Sequence, residues 1–202
     1  VQVHSEHAQL AVDALLIASG RQPATASLHP ENAGIAVNER GAIVVDKRLH
    51  TTADNIWAMG DVTGGLQFTY ISLDDYRIVR DELLGEGKRS TDDRKNVPYS
   101  VFMTPPLSRV GMTEEQARES GADIQVVTLP VAAIPRARVM NDTRGVLKAI
   151  VDNKTQRMLG ASLLCVDSHE MINIVKMVMD AGLPYSILRD QIFTHPSMSE
   201  SL

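Results

Sequence analysis

WAMGDVTG, residues 57–64, is the segment from which the fold of this chain is predicted. It continues the run 55–59, which has the composition of a buried strand, so Gly60 is expected at that strand's carboxyl end. A glycine there lets a ligand approach the backbone, and the Asp61 carboxylate can accept hydrogen bonds from the vicinal hydroxyls of a sugar or polyol. The alternative is a tight turn in which Asp61 bonds only its own backbone, and the two residues alone leave both open.

On either side of this segment, the chain before the polar run 88–96 alternates between predicted strands and helices. The apolar run 13–18 is broken by a glycine and a proline and is typical of a buried strand, and the β-branched run 41–46 predicts another. Apolar residues over 69–84 recur at helical spacings, which predicts a helix. We therefore expect an α/β domain to about residue 93, followed by a linker in the polar run.

The chain has a different pattern from about residue 94 onward. Four strands are predicted there, at 99–103, 125–131, 145–151 and 158–166. A helix is predicted near Thr113, because Gln116 lies three residues further on at the capping-box spacing. Another is predicted over 168–181, where apolar residues form one face and Gly182 follows. These patterns predict an α+β domain with an antiparallel sheet flanked by helices.

Composition excludes several classes of partner. Hydrophobic residues make up 44% and charged residues 22% of the 202 residues, as in a globular protein. No apolar run approaches the roughly 18 to 20 residues of a membrane span. The net charge of -5, without a basic cluster, argues against a nucleic-acid partner. Cys165 is the single cysteine and no signal region is recognised, so we expect a cytoplasmic protein.

Several segments, in order along the chain, resemble one enzyme family. They are LLIASGRQP at 15–23, GAIVVD at 41–46, NIWAMGD at 55–61 and FMTPPLSRVGMTE at 102–114. Together they resemble the class I flavoprotein (pyridine nucleotide) disulfide oxidoreductases, which include lipoamide dehydrogenase, glutathione reductase and mercuric reductase. Within that family the chain is most similar to the bacterial branch linked to resistance against reactive chlorine, near mercuric reductase.

The resemblance implies a domain organisation and two cofactors. Residues 1–23 would end the nicotinamide-binding domain, residues 24–93 would be the second segment of the FAD-binding domain, and residues 94–202 would be the C-terminal dimerisation domain. The first two parts would have the α/β fold and the last the α+β fold. The cofactors would be FAD and NAD(P)H, and the partner a second copy of the chain, bound through the C-terminal domain.

The same resemblance implies cofactor-binding residues in the first part of the chain. Gly20 would lie near the nicotinamide cofactor, and Asp61, presented by Gly60, would hold a ribityl hydroxyl of FAD. The helix start at Gln67, Phe68, Thr69 and Tyr70 would lie beside the isoalloxazine ring. Backbone donors at a helix N-terminus stabilise negative charge, here the charge on reduced flavin. No metal site is expected.

The C-terminal segment THPSMSE, residues 194–200, resembles the family's His-Pro-Thr-x-Ser-Glu segment. In that segment the histidine is the acid/base for a redox thiol and the glutamate orients it, which assigns these roles to His195 and Glu200. Ser197 replaces the usual threonine. We expect a helix to start at Pro196 and to bring Glu200 back toward His195. Without the resemblance, a histidine that precedes a helix and bonds a backbone carbonyl would be the favoured interpretation.

Two features that this family needs are missing from the sequence. Neither a Gly-x-Gly-x-x-Gly segment after a strand nor a Cys-x-x-x-x-Cys pair is present. We therefore expect the C-terminal part of a longer enzyme, which begins at Val1 after its first half. An inactive dimerisation module and a flavin-dependent NADH oxidase on the same scaffold are the alternatives. The apolar faces of 171–179 and 185–193 are expected to make the dimer contact.

Overall fold

The computed structural model describes residues 1–202 and divides into two compact units. The first unit is Val1–Asp93 and the second is Arg94–Leu202, so the division falls inside the polar run 88–96. No helix in either unit combines the length and the apolar character that crossing a bilayer would require.

The first unit begins with a small antiparallel hairpin of β1 (Gln2–His4) and β2 (Gln9–Ala11). The strand predicted at 13–18 is wrong: these residues have no regular structure, and Leu16 and Ile17 are 88% and 77% exposed. A buried strand must pair its backbone N–H and C=O groups with neighbouring strands. No strand of this chain pairs with the segment, so its apolar composition alone does not make it a strand.

The strands predicted at 41–46 and 55–59 are also wrong, because each is reduced to a single bridge. Ile43 pairs with Val37, and Trp57 pairs with His50. The chain turns sharply after Asp46, whose carboxylate accepts the backbone N–H groups of Arg48 at 2.8 Å and His50 at 2.9 Å. Side-chain bonds of this kind compete with extended pairing. The strands predicted before residue 93 therefore do not form a sheet with one another, and the sheet of this unit is the two-stranded β1–β2 hairpin.

The helix predicted over 69–84 is confirmed as α1 (Thr69–Leu84), which buries Ile71 and Ile78 against the first unit. The helix ends where the Asp81 carbonyl accepts the backbone N–H of Gly85 at 2.9 Å. The Asp81 carboxylate then accepts the N–H groups of Lys88 at 2.8 Å and Arg89 at 2.9 Å. One side chain thus orders the start of the polar run.

The second unit is built on a five-stranded antiparallel sheet in the order β3-β4-β7-β6-β5. Its strands are β3 (Tyr99–Val101), β4 (Leu107–Gly111), β5 (Ile124–Pro130), β6 (Val146–Asp152) and β7 (Met158–Leu164). The four predicted strands are present within two residues of the expected bounds. Strand β4 is not among the predicted strands, because its short LSRVG run lacks a strong β-branched pattern; it is a strand because it lies between β3 and β7.

Four helices accompany the sheet: α2 (Glu114–Glu119), α3 (Pro135–Val139), α4 (Ser168–Asp180) and α5 (Ser186–Arg189). The predicted capping box is confirmed, because the Thr113 side chain accepts the Gln116 N–H at 3.0 Å and the Gln116 side chain accepts the Thr113 N–H at 2.9 Å. The predicted long helix is α4, which packs across β4 and β7.

The apolar face of α4 forms the centre of the hydrophobic core. Met171, Ile172 and Val175 are fully buried there, together with Val110 and Leu163 from the sheet. The expectation that this face remains available for a dimer contact is therefore wrong, because its own unit covers it. Met177, on the other side of α4, and Ile192, after α5, are the strongly exposed apolar residues of this region.

Candidate functional site

The turn that carries Asp61 begins at Gly60, and a hydrogen bond to a residue of α1 holds it in place. Gly60–Thr63 form a single 3₁₀ turn, in which Gly60 has a φ of 78°. A Cβ at this position would lie 2.9 Å from Ser72 Oγ, so the turn requires glycine both for its backbone conformation and for space. The Gly60 N–H donates to Asp75 Oδ2 at 2.6 Å, and Asp75 is 2% exposed. A buried carboxylate therefore fixes the backbone from which Asp61 projects.

Asp61 presents its carboxylate to the surface, with the side chain 53% exposed. Its Oδ2 lies 3.4 Å from Arg21 Nη1, and the same guanidinium nitrogen lies 3.4 Å from the Gln67 carbonyl oxygen. No hydrogen bond joins the carboxylate to the backbone of its own turn. Acceptor positions on Asp61 are therefore available to a polyol hydroxyl.

Gly20 and Gln67 line one open cavity of about 590 Å³ in the first unit. Arg21, Asn38 and Gly64 contribute to the same wall. The volume is within the range of small-molecule sites, roughly 300 to 1,000 Å³. Asp61 itself does not line the cavity and is connected to it by the contact with Arg21.

The N-terminus of α1 lies immediately after Gln67. Phe68 is in the N-cap position and has no side-chain acceptor for the first-turn N–H groups, and the first turn contains no acidic residue. The rings of Phe68 and Tyr70, the residues before and after Thr69 in the sequence, stack with their centroids 5.1 Å apart. Burial raises the pKa of Tyr70 above its ordinary value, so its phenol stays protonated at neutral pH. This end of a 16-residue helix carries positive potential suited to an anionic group.

His195 and Glu200 lie together in the second unit. His195 Nδ1 is 2.8 Å from Glu200 Oε2, and the His195 side chain is 69% exposed. The hydrogen bond with His195 and the backbone N–H of Ser197 hold the pKa of Glu200 below its ordinary value. An ionised carboxylate only accepts hydrogen bonds, so Nδ1 carries the proton, and Nε2 makes no hydrogen bond within this chain.

The helix predicted to start at Pro196 is wrong. Only Ser199–Ser201 form a short 3₁₀ turn, and the contact of Glu200 with His195 does not depend on a helix at Pro196. Two other features hold the segment: the Met198 side chain is buried in the hydrophobic core, and the Ser197 N–H is paired with the Glu200 carboxylate at 3.2 Å.

Sequence reasoning missed Asp75, Arg21 and Met198 as supporting residues. A signal for Asp75 was present, because Ile71, Asp75 and Ile78 have the spacing of one helix face, and a carboxylate on a buried face needs a donor. The pairing of Arg21 with Asp61 spans 40 positions, and no local pattern reveals it.

Cys165 is unsuited to thiol chemistry. It is buried beside Met171, with its Sγ 3.8 Å from Met171 Sδ. Burial is the main cause that raises the pKa of its thiol to about 12, so the reactive thiolate is scarce at neutral pH. Cys165 is therefore a residue of the hydrophobic core.

Comparison with protein families gives two matches. A model described as pyridine nucleotide-disulphide oxidoreductase, dimerisation domain, matches residues 97–202. A second model, described as pyridine nucleotide-disulphide oxidoreductase, matches residues 1–75. The two matched ranges fall on either side of the division between the units at residue 93.

Curated relatives agree with these matches. The chain is 35% identical to a mercuric reductase of Staphylococcus aureus over 202 residues, which is all of this chain and 37% of that protein. It is 34% identical to a mercuric reductase of Bacillus cereus over 202 residues, all of this chain and 32% of that protein. It is 36% identical to one of Streptomyces lividans over 194 residues, 96% of this chain and 41% of that protein.

The chain thus spans between 32% and 41% of the length of these relatives. The dimerisation-domain model alone covers more than half of the chain, and the second model covers most of the rest. On these matches, the chain belongs to the pyridine nucleotide-disulphide oxidoreductase family.

Proposed function

We propose that these residues form the C-terminal part of an FAD-dependent oxidoreductase that takes electrons from NAD(P)H. The chain aligns over its whole length with a third or so of each relative, which supports a longer parent protein. In that protein, residues 1–23 end the nicotinamide-binding domain, residues 24–93 belong to the FAD-binding domain, and residues 94–202 form the dimerisation domain. The branch linked to reactive chlorine is part of this proposal.

The residues of the first unit fit a bound flavin. The exposed Asp61 carboxylate is a polyol acceptor on a turn that Asp75 holds in place, and α1 offers an N-terminus without a side-chain cap. Gly20 and Gln67 line an open cavity of the same unit. When bound, FAD would supply hydride acceptance from NAD(P)H and transfer of two electrons to a cysteine pair. Those cysteines would come from residues outside this chain, since Cys165 is alone and buried.

The role of His195 is proton transfer. Reduction of the cysteine disulfide would create thiolates, which take up protons, and the resulting thiols would release those protons when they are oxidised again by the final acceptor. The His195 side chain is exposed and its Nε2 makes no hydrogen bond within this chain, so Nε2 can exchange a proton with such a thiolate, while Glu200 holds Nδ1 and stabilises the imidazolium. In the proposed homodimer, the thiolate would belong to the partner subunit. The acceptor class is a disulfide, a metal ion or another two-electron acceptor, and the relatives are named as mercuric reductases.

The contact of His195 Nδ1 with Glu200 Oε2 is the observation that carries this proposal, since an exposed imidazole held by an ionised carboxylate is the arrangement of a general acid/base. The test is to express the complete reading frame that contains these residues. We expect a yellow protein that oxidises NAD(P)H only when an acceptor is present. A complete protein that neither binds flavin nor oxidises NAD(P)H would contradict the proposal.

A second candidate is a catalytically inactive homodimerisation module, if residues 1–202 act alone. One observation favours it: the second unit has a complete sheet and core, whereas the apolar residues 15–17 of the first unit are exposed. Sedimentation of this chain at micromolar concentration, with flavin absorbance recorded together, separates the two candidates. A colourless dimer supports the module, and a flavin-bound dimer supports the redox function.

We also propose a cytoplasmic location, because a single cysteine without a disulfide partner is typical of reducing compartments. The net charge of -5 supports a protein without a nucleic-acid partner.

A further inference from the structure

Two reciprocal hydrogen bonds join Ser197 and Glu200. The Ser197 N–H donates to Glu200 Oε1 at 3.2 Å, and the Glu200 N–H donates to Ser197 Oγ at 3.3 Å. This is the Ser-x-x-Glu arrangement of a capping box. Here the Glu200 carboxylate also binds a residue outside the capping box, because its second oxygen, Oε2, is 2.8 Å from His195 Nδ1.

The two oxygens of Glu200 therefore have separate partners. A free glutamate side chain rotates about three bonds, and ordering it costs conformational entropy. The bond from the Ser197 N–H to Oε1 removes much of this freedom, and the bond to Ser197 Oγ fixes the backbone that carries the side chain. Met198, between the two residues, is buried in the core and anchors the turn. His195 itself is exposed, so the surrounding protein does little to orient its ring.

We propose that Ser197 is a positioning residue that holds Glu200 with Oε2 toward His195, so that the ring keeps its proton on Nδ1 and presents Nε2. The Ser197 N–H binds Oε1 directly, and the Ser197 hydroxyl oxygen, which accepts the Glu200 N–H, is the part of this arrangement that a side-chain substitution removes. That Nε2 then serves an acid/base step rests on the proposed function, whereas the orientation of the ring does not.

The test compares two nearly isosteric variants, Ser197→Thr and Ser197→Val, which differ in the hydroxyl. Long-range proton–nitrogen NMR of this chain, at a pH where the ring is neutral, shows which nitrogen of His195 carries the proton; His195→Gln assigns the signal. We expect a predominant Nδ1–H form in the unchanged chain and in Ser197→Thr. We expect Ser197→Val to lose this predominance and to show a mixture with the Nε2–H form.

Ser199→Ala is the matched control, because the Ser199 side chain, two residues away, makes no hydrogen bond in this structure. It should leave the spectrum unchanged. The proposal is overturned if folded Ser197→Val keeps the Nδ1–H form, or if folded Ser197→Thr loses it. If Ser197→Val does not fold, Ser197→Ala replaces it, and retention of the Nδ1–H form in Ser197→Ala then overturns the proposal.

The same variants in the complete enzyme separate this role from the proposed function. Ser197→Val should lower kcat, Ser197→Thr should restore it, and the rate of flavin reduction by NAD(P)H should be the same in both. If His195→Gln turns over normally while the NMR result holds, the acid/base function fails and the positioning role stands. If folded Ser197→Val keeps the Nδ1–H form while His195→Gln slows turnover, the positioning role fails and the acid/base function stands.

Discussion

The backbone N–H of Gly60 donates to the buried carboxylate of Asp75 at 2.6 Å, across 15 positions of the chain. This bond joins α1 to the turn that presents Asp61, so the helix and the turn act as one element. A related arrangement occurs in the second unit, where the Glu200 carboxylate accepts the backbone N–H of Ser197 and orients His195. In both places a supporting residue sets the geometry of an exposed one.

Replacing Asp75 with alanine should destabilise the first unit. The change leaves the partly buried Gly60 N–H without its acceptor, and an unsatisfied buried donor costs at most about 1 to 3 kcal/mol. The single tryptophan, Trp57, lies in the same unit, so denaturant unfolding followed by its fluorescence measures the effect directly. Asp54→Ala, at an exposed aspartate, is the control and should change stability little. Equal stability of the two variants would remove Asp75 from its supporting role.

Gly60→Ala should destabilise the same unit. The residue has a φ of 78°, and a Cβ would lie 2.9 Å from Ser72 Oγ. A non-glycine residue in the left-handed region costs about 1 to 3 kcal/mol. Gly65→Ala is the matched control, because a Cβ there has no neighbour closer than 3.9 Å and its φ is outside the left-handed region. Denaturant unfolding followed by Trp57 fluorescence measures both variants, and equal denaturant midpoints for Gly60→Ala and Gly65→Ala would contradict the strain argument.

In the complete enzyme, Asp61→Ala should weaken FAD retention. The substitution removes an acceptor for a polyol hydroxyl, which we expect to cost about 1 to 3 kcal/mol of binding free energy. Flavin content after dialysis is the measurement, and Glu39→Ala, at an exposed glutamate, is the control. Flavin content equal to that of the unchanged enzyme would refute the assignment of Asp61.

His195→Gln in the complete enzyme should slow turnover by about 10² to 10⁴, the usual contribution of a general acid or base. Flavin reduction by NAD(P)H should be nearly unchanged, because hydride transfer does not need the imidazole. Stopped-flow measurement of flavin reduction, followed by full turnover, separates the two steps. His29 makes a similar exposed pair with Glu31 at 3.2 Å, so His29→Gln is the matched control. Loss of flavin reduction in His195→Gln would indicate structural damage.

Cys165 should resist alkylation while the chain is folded. Its thiol is buried and its pKa is raised to about 12, so at neutral pH almost none of it is thiolate. Since the chain has one cysteine, the mass after treatment with iodoacetamide reports this site alone. We expect modification only in denaturant. Rapid modification of the folded chain at neutral pH would show that the site opens readily.

Sequence periodicity predicted the two long helices, α1 and α4, with ends within one residue of those observed. Helical hydrogen bonds join residues four positions apart, so the information is local. Four of the five strands of the second unit were nearly as well predicted, because each lies beside partners within the same chain, and only β4 was not predicted. The family resemblance also predicted that Glu200 lies beside His195. The two residues are in contact, although the helix expected between them is absent.

Tertiary structure alone decided the rest. The apolar runs at 13–18, 41–46 and 55–59 have strand composition, yet they are not strands, because strand pairing depends on neighbours that a run of residues does not specify. The bond between Gly60 and Asp75 and the ion pair of Arg21 with Asp61 join residues 15 and 40 positions apart. The amino-acid sequence alone thus determined the two long helices and the identities of the candidate groups. The folded chain determined which donor meets which acceptor, because a hydrogen bond depends on distance and direction in space.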